Sequence, residues 1–78
     1  MYYVYILQST VTNRYYVGHT QDIQNRLDRH NKKRVRSTKS GVPWELVYTE
    51  MFDTKAEAYK REMQIKSYKG GNAFRELL

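Results

Sequence analysis

The chain has 78 residues, which suffices for one domain but not for two, and a domain of this size buries only about 60% of its unfolded surface. It contains no cysteine, so disulfide bonds and cysteine-based zinc sites are excluded. No apolar run approaches the roughly 18 residues of a membrane span, and no signal-peptide pattern opens the chain. We therefore expect a cytoplasmic protein without a membrane partner.

The net charge of +6 is concentrated in one segment of the chain. Residues 26–39 contain seven basic side chains and one acidic side chain, Asp28, whereas the remainder of the chain is electrically neutral. Such a block favours contact with a polyanion, and nucleic acid above all; the alternative is a solvated loop that keeps a small protein soluble. The candidate nucleic-acid-binding residues are Arg29, Lys32, Lys33, Arg34, Arg36 and Lys39.

The N-terminal part of the chain predicts a β-hairpin. Tyr2–Leu7 and Arg14–Thr20 are rich in aromatic and β-branched residues, and the short polar connection at 9–13 makes the two strands antiparallel. This pairing places Tyr5 roughly opposite Tyr16, although the turn type that would fix the register is not readable from the sequence.

A helix follows the hairpin, beginning after the N-cap candidates Thr20 and Asp22 and ending at about residues 31–33. The helical spacing i, i+4, i+7 is occupied by Ile23, Leu27 and His30. Arg26 and His30 lie at the border of this apolar stripe, where polar side chains can face a site on the sheet.

The second half of the chain predicts a basic loop over 34–43, a third strand over 44–52 and a helix that runs to about residue 66. The capping-box pattern Thr-Lys-Ala-Glu opens this helix at residue 54, and a Gly-Gly pair separates it from a short helix over 72–78. The order ββαβαα predicts a single α+β domain over 1–78, with a small three-stranded antiparallel sheet flanked by helices.

Glu62 occupies an unusual position in the second helix, because it falls inside the apolar arc that contains Ala58 and Ile65. A carboxylate in such a place must be paired, protonated or bound to a metal ion. An i,i+4 pair with Lys66 is the structural alternative to a metal site.

Five polar side chains could meet at one end of the sheet: Tyr5, Tyr16, Arg26, His30 and Glu62. The set lacks a serine or cysteine nucleophile but suits phosphodiester hydrolysis. A carboxylate can hold a divalent metal, a phenolate or imidazole can activate water, and a guanidinium can stabilise the charged transition state. The other histidine, His19, follows the turn glycine Gly18 and is predicted to lie on the surface.

The sequence resembles the GIY-YIG nuclease superfamily, in particular its small single-domain bacterial members. The resemblance rests on Tyr3-Val4-Tyr5, on Tyr16-Val17-Gly18, and on Arg26, His30 and Glu62, which follow in order at spacing typical of the family. It covers nearly the whole chain, and the segment from Pro43 to Tyr48 also resembles the third-strand region of the small members.

The resemblance implies a role for each matched residue. Tyr5 and Tyr16 would lie near the attacking water and the scissile phosphate, and one of them would be the general base. Gly18 would leave room beside these phenols. Arg26 would contact the phosphate, and His30 would transfer a proton or contact the phosphate.

The resemblance further implies that Glu62 is the single protein ligand of a divalent metal, Mg²⁺ or Mn²⁺. We expect a metal-dependent endonuclease acting on DNA, with RNA not excluded, in DNA repair or recombination. Little sequence specificity is expected, because larger members use an appended DNA-reading domain for target choice. The alternatives are a nucleic-acid-binding module with little or no catalysis and an accessory domain that binds a protein partner.

Overall fold

The computed structural model describes all residues from 1 to 78 and confirms the predicted α+β order ββαβαα. Its elements are β1 (Tyr2–Ser9), β2 (Tyr15–Thr20), α1 (Ile23–Asn31), a 3₁₀ helix (Arg36–Gly41), β3 (Trp44–Phe52), α2 (Lys55–Ser67) and α3 (Asn72–Leu77). None of these helices has the length and apolar composition that crossing a membrane would require.

The central strand β1 supplies side chains to two separate cores, one on each face of the antiparallel sheet β2-β1-β3. Val4 and Ile6 pack with apolar residues of α2 and α3. Tyr5 and Leu7 point to the opposite face, as the period of two in a strand requires, and pack with Trp44. The two helical layers therefore lie on opposite sides of the sheet.

The register of the hairpin differs from the predicted one by two residues. Tyr5 pairs with Gly18 and Leu7 pairs with Tyr16, so the prediction that Tyr5 stands opposite Tyr16 is wrong. Ser9 closes the hairpin by donating its backbone N–H to the carbonyl of Arg14, so the loop covers residues 10–13 and its centre lies one residue further along the chain than the prediction placed it. A shift of two residues preserves the face, and the rings of Tyr5 and Tyr16 remain neighbours with centroids 6.3 Å apart.

Both long helices begin at polar caps. Asp22 is the N-cap of α1, and its side chain accepts a hydrogen bond from the backbone N–H of Asn25 at 3.0 Å. Thr20, the other candidate, instead accepts from the N–H of Asp22 at 3.1 Å. Thr54 caps α2 by accepting from the N–H of Glu57 at 3.2 Å, and its hydroxyl donates to the Glu57 carboxylate at 2.9 Å.

The predicted basic loop contains the 3₁₀ helix, which side chains from the sheet hold in place. The indole N–H of Trp44 donates to the carbonyl of Thr38 at 2.8 Å, and the hydroxyl of Ser9 donates to the carbonyl of Gly41 at 2.6 Å. The side chain of Asn31 binds both backbone groups of Trp44. The segment therefore presents Thr38 as a buried residue at a fixed position.

Candidate active site

A chain of three hydrogen bonds runs through the buried face between β1, α1 and the 3₁₀ helix. The Tyr5 hydroxyl lies 3.2 Å from Nε2 of His30, and Nδ1 of His30 lies 2.8 Å from Oγ1 of Thr38. The Thr38 hydroxyl donates to the carbonyl of Val35 at 3.3 Å, so its oxygen accepts from His30. His30 therefore carries its proton on Nδ1, and Nε2 accepts from the Tyr5 hydroxyl.

His30 is held neutral by its surroundings. It has no solvent exposure, and burial is the main reason that its pKa falls to about 4. The positive charges of Arg26 and Arg29 lower the pKa further. A neutral imidazole at physiological pH agrees with the hydrogen-bond directions, because a doubly protonated ring could not accept from Tyr5.

Tyr5 is likewise held in its neutral form. Burial raises the pKa of its phenol well above the usual value, and the neighbouring Tyr16 adds to this effect. Arg26 works in the opposite direction, whereas the negative charge of Glu62 raises the pKa again. The site therefore contains a protonated phenol that donates to an imidazole, and not a preformed phenolate.

Gly18 is required by the close approach of the Tyr5 ring. A Cβ atom at position 18 would lie 2.6 Å from the Tyr5 hydroxyl oxygen and 2.8 Å from Cζ of the same ring. The ring of Tyr16 completes the group, with its centroid 4.7 Å from that of His30. The structure thus places three of the predicted site residues, Tyr5, Tyr16 and His30, in mutual contact.

Arg26 borders this group and faces an open cleft of about 350 Å³ at the start of α1. The other residues lining the cleft are Tyr2, His19, Thr20, Gln21, Asp22 and Lys55. The cleft contains a guanidinium, an imidazole and an ammonium beside the single carboxylate of Asp22, a balance that suits an anionic ligand. Sequence reasoning missed Lys55, since only the packing of α2 on the sheet brings it near Arg26.

Glu62 is buried on α2 and contacts two basic side chains. Nδ1 of His19 lies 2.5 Å from one carboxylate oxygen, and Nζ of Lys66 lies 2.5 Å from the other. The sequence favoured a surface position for His19 over a catalytic one, and the structure shows its side chain partly buried, with 22% exposure. The alternation of side chains along β2 could have predicted this contact with α2, because His19 shares a strand face with Val17, which packs toward α2.

The five predicted site residues therefore form two groups. Tyr5, Tyr16 and His30 occupy the α1 face of the sheet, with Arg26 at their border, whereas Glu62 lies on α2, which packs against the other face. The two groups can approach a common ligand only around an edge of the sheet. Strand β2 is such an edge.

Comparison with known proteins decides the family. A family model described as the GIY-YIG catalytic domain matches residues 1–73. The chain belongs to the GIY-YIG family. It is therefore a member of a nuclease family whose substrates are nucleic acids, as the motif resemblance predicted.

Small bacterial proteins are among the GIY-YIG relatives. The chain is 43% identical to the UPF0213 protein SSP2268 of Staphylococcus saprophyticus over 68 residues, which span 86% of this chain and 82% of that protein. It is 40% identical over the same length to a UPF0213 protein of Staphylococcus aureus. It also resembles the solution NMR structure of the UPF0213 protein BH0048 from Bacillus halodurans, with a TM-score of 0.54 and 31% identity over 97% of this chain and 80% of that one.

GIY-YIG nucleases generally depend on a divalent metal, and the surroundings of Glu62 fit one through a single carboxylate. No three His, Asp or Glu side chains cluster into an all-protein metal site. Mg²⁺ is commonly held by only one or two carboxylates, together with water and substrate phosphates. Lys66 must move away from the Glu62 oxygen that it contacts before a metal ion can bind there. The 46% exposed side chain of Lys66 permits this movement.

The basic segment of this GIY-YIG domain is available for phosphate contacts. The six predicted nucleic-acid-binding side chains are all exposed, and none takes part in an ion pair: Arg29, Lys32, Lys33, Arg34, Arg36 and Lys39. Arg29, Lys32 and Arg34 line one open groove of about 660 Å³ beside α1. Whether the groove binds nucleic acid remains a prediction.

Gly18→Ala should displace the Tyr5 ring, because the new methyl group would overlap its hydroxyl. We expect a loss of about 1–3 kcal/mol in the free energy of unfolding, measured by urea denaturation. In a Tyr5→Leu background the methyl meets a shorter side chain, so the same substitution should be less destabilising. Equal losses in both backgrounds would show that Gly18 is not needed to accommodate Tyr5.

Nitrogen-15 NMR of the imidazoles should show His30 with its proton on Nδ1 and neutral down to about pH 4. Since the folded pKa lies below the unfolded value of about 6.5, the unfolded state takes up the proton first. The contribution of His30 to stability should therefore be complete above pH 6.5 and decline as the pH falls from there toward 4.

Thr38→Val supplies the matching structural test, because it leaves the buried Nδ1–H of His30 without an acceptor. We expect a loss of about 1–3 kcal/mol in stability and a shift toward the tautomer protonated on Nε2. Thr49→Val, at an exposed threonine of β3, serves as the control and should change stability by less than about 0.5 kcal/mol. A native His30 that titrates near pH 6.5 would contradict the assigned network.

Proposed function

We propose that this protein is a metal-dependent endonuclease that hydrolyses DNA phosphodiester bonds with little sequence specificity, in DNA repair or recombination. The chain belongs to a nuclease family, and the observation that most supports this proposal is the hydrogen-bond chain from Tyr5 through His30 to Thr38. A buried phenol aimed at a neutral imidazole of fixed tautomer is an arrangement for moving a proton.

In the proposed reaction a water oxygen attacks the phosphorus atom, and the ester bond on the opposite side breaks. The leaving oxygen departs as an alkoxide that takes up a proton from solvent water. As the new bond forms, a water proton passes to the Tyr5 oxygen while Tyr5 gives its own proton to Nε2 of His30. The raised pKa of Tyr5 favours this relay over a preformed phenolate. Thr38 acts as a positioning residue, since its oxygen keeps the His30 ring in the accepting tautomer.

Arg26 is suited to stabilise the charge that grows on the phosphoryl oxygens. It lies at the border of the Tyr5–His30 pair, and its charge already influences the pKa values of both groups. Its planar fork can bind two phosphoryl oxygens through two parallel N–H···O hydrogen bonds, a geometry that an ammonium group lacks. Such electrostatic stabilisation is usually among the largest contributions to a phosphoryl-transfer rate.

Glu62 would hold the divalent metal, Mg²⁺ or Mn²⁺. When bound, the metal would act as a Lewis acid on the phosphate. His19 contacts Glu62 through Nδ1 and so fixes the orientation of the carboxylate. The substrate phosphate would lie at the β2 edge, which is where groups on both faces of the sheet can reach it.

Recognition of the backbone alone would explain low specificity. Contacts of Lys and Arg with phosphates position a protein on DNA but carry no sequence information. The exposed basic groove beside α1 supplies such contacts, and they would accept RNA as well.

One observation favours the second candidate, a nucleic-acid-binding module without catalysis. Lys66 already occupies a carboxylate oxygen of Glu62, so the pair could be a structural salt bridge and nothing more. The two candidates differ in what they predict for substitutions at these positions.

Glu62→Gln should abolish Mg²⁺-dependent cleavage of branched, flapped or single-stranded DNA. It should leave DNA binding without metal unchanged or tighter, because a negative charge is removed without a change of shape. Lys66→Gln is the matched control: it breaks the same ion pair but keeps the carboxylate, so Mg²⁺-dependent cleavage should persist when DNA is saturating. Calorimetry should show that Mg²⁺ raises the Tm of the native protein more than that of Glu62→Gln.

Retained cleavage by Glu62→Gln would exclude the metal role. Equal loss of stability and of activity in both variants would favour the structural salt bridge. If the native protein binds DNA but cleaves none of these substrates with either metal, the binding module is the better description.

DNA binding should depend steeply on salt if the basic segment contacts the backbone. With about four phosphate contacts, the logarithm of the affinity should fall against the logarithm of salt concentration with a slope of roughly −3 to −4. Serine at the four positions 32, 33, 34 and 36 should flatten the slope. The control is the pair Arg14→Ser and Lys60→Ser, which removes exposed charges elsewhere on the protein. If the control and the four-residue variant change the slope equally, the attraction to DNA is nonspecific only.

A further inference from the structure

An apolar recess of about 310 Å³ opens between the start of β2, the end of α2 and α3. The rings of Tyr15 and Phe74 meet edge to face in its wall, with centroids 5.0 Å apart. Tyr15 is 45% exposed, so much of this residue remains accessible to a ligand. Lys66 and Lys69 also line the recess and supply positive charge.

The chemistry of this recess matches a nucleotide. An open aromatic ring offers a stacking surface to any base, and nearby lysines attract the phosphates of the same strand. The volume lies at the lower end of the roughly 300–1,000 Å³ typical of pockets for small organic groups. A purely apolar ligand would not explain the two lysines.

The recess also borders the candidate active site. Lys66 lines it while contacting Glu62. Residues 15–17 of β2 also line it, and the ring of Tyr16 leaves this same stretch on the opposite face of the strand, where it packs against His30. A base bound here would therefore belong to a nucleotide next to the phosphate that the site would cleave.

We propose that this recess binds one unpaired nucleobase of the substrate strand beside the scissile phosphate. A paired base would have to leave its stack and lose its partner before it could enter, so a single-stranded segment is the favoured ligand. The link to cleavage rests on the proposed nuclease function, whereas binding of the base does not. The recess thus assigns a substrate class to the site: DNA with unpaired nucleotides at the cleavage position.

Fluorescence anisotropy in metal-free buffer tests the assignment with three labelled probes. The probes are a blunt duplex, the same duplex with a short single-stranded overhang, and that overhang made abasic. We expect the base-bearing overhang to bind about tenfold more tightly than the blunt duplex, and the abasic overhang to lose most of this gain. Equal binding of the abasic and base-bearing overhangs would overturn the proposal, because charge alone would then explain the preference.

Two substitutions of Tyr15 separate stacking from hydrophobicity. Tyr15→Phe should keep the preference for the overhang, whereas Tyr15→Leu should lose it with little effect on blunt duplex. Lys69→Asn provides an independent variant, since asparagine tolerates the positive φ of 53° at this position. It should weaken binding of the overhang more than binding of the blunt duplex. A Tyr15→Leu protein of native Tm that keeps the full preference would overturn the proposal.

Cleavage assays of the same probes with Mg²⁺ distinguish the two proposals. A protein that prefers the base-bearing overhang through Tyr15 but cleaves nothing would support the recess and refute the nuclease function. A protein that cleaves blunt and overhang duplexes equally, with no effect of Tyr15→Leu, would support the nuclease function and refute the recess.

Discussion

The burial of the Tyr5 hydroxyl is the constraint on which the arrangement of this domain depends. A polar group inside a core needs a partner, and here the partner is Nε2 of His30. Room for the ring comes from Gly18 across the hairpin. His30 in turn needs Thr38, which is fixed because the indole of Trp44 binds its carbonyl. Strand, helix and 3₁₀ helix are thereby joined through one continuous set of polar contacts.

The position of the sheet imposes a second constraint, because it separates the phenol–imidazole group from the carboxylate. A ligand of the phenol–imidazole group could also contact Glu62 only where the sheet ends, as it does at the edge strand β2. His19, in the same strand, contacts Glu62 and so connects that strand to α2. An edge strand without a further neighbour is normally a liability. In the proposed function, the free edge would give a ligand access to both groups.

Much of the fold could be predicted from the sequence because it follows local rules. Periodicity located the strands and helices, and the capping pattern at Thr54 located the start of α2. The hairpin register could not be predicted, because it depends on the loop that Ser9 closes. The contact of His19 with Glu62 and the role of Thr38 were missed for a related reason: both arise from packing between segments that are distant in the chain.

Tyr5 and His30 are among the largest fully buried side chains of the domain, so they serve as core residues as well as site residues. Selection for folding alone would therefore preserve both residues, even in a lineage that had lost catalytic activity. Arg26 is only half-buried, whereas Glu62 is buried and paired with His19 and Lys66, so the fold gives a reason to keep Glu62 as well. When relatives are ranked as active or degenerate, the retention of Arg26 is thus more informative than the retention of the motif tyrosine and histidine.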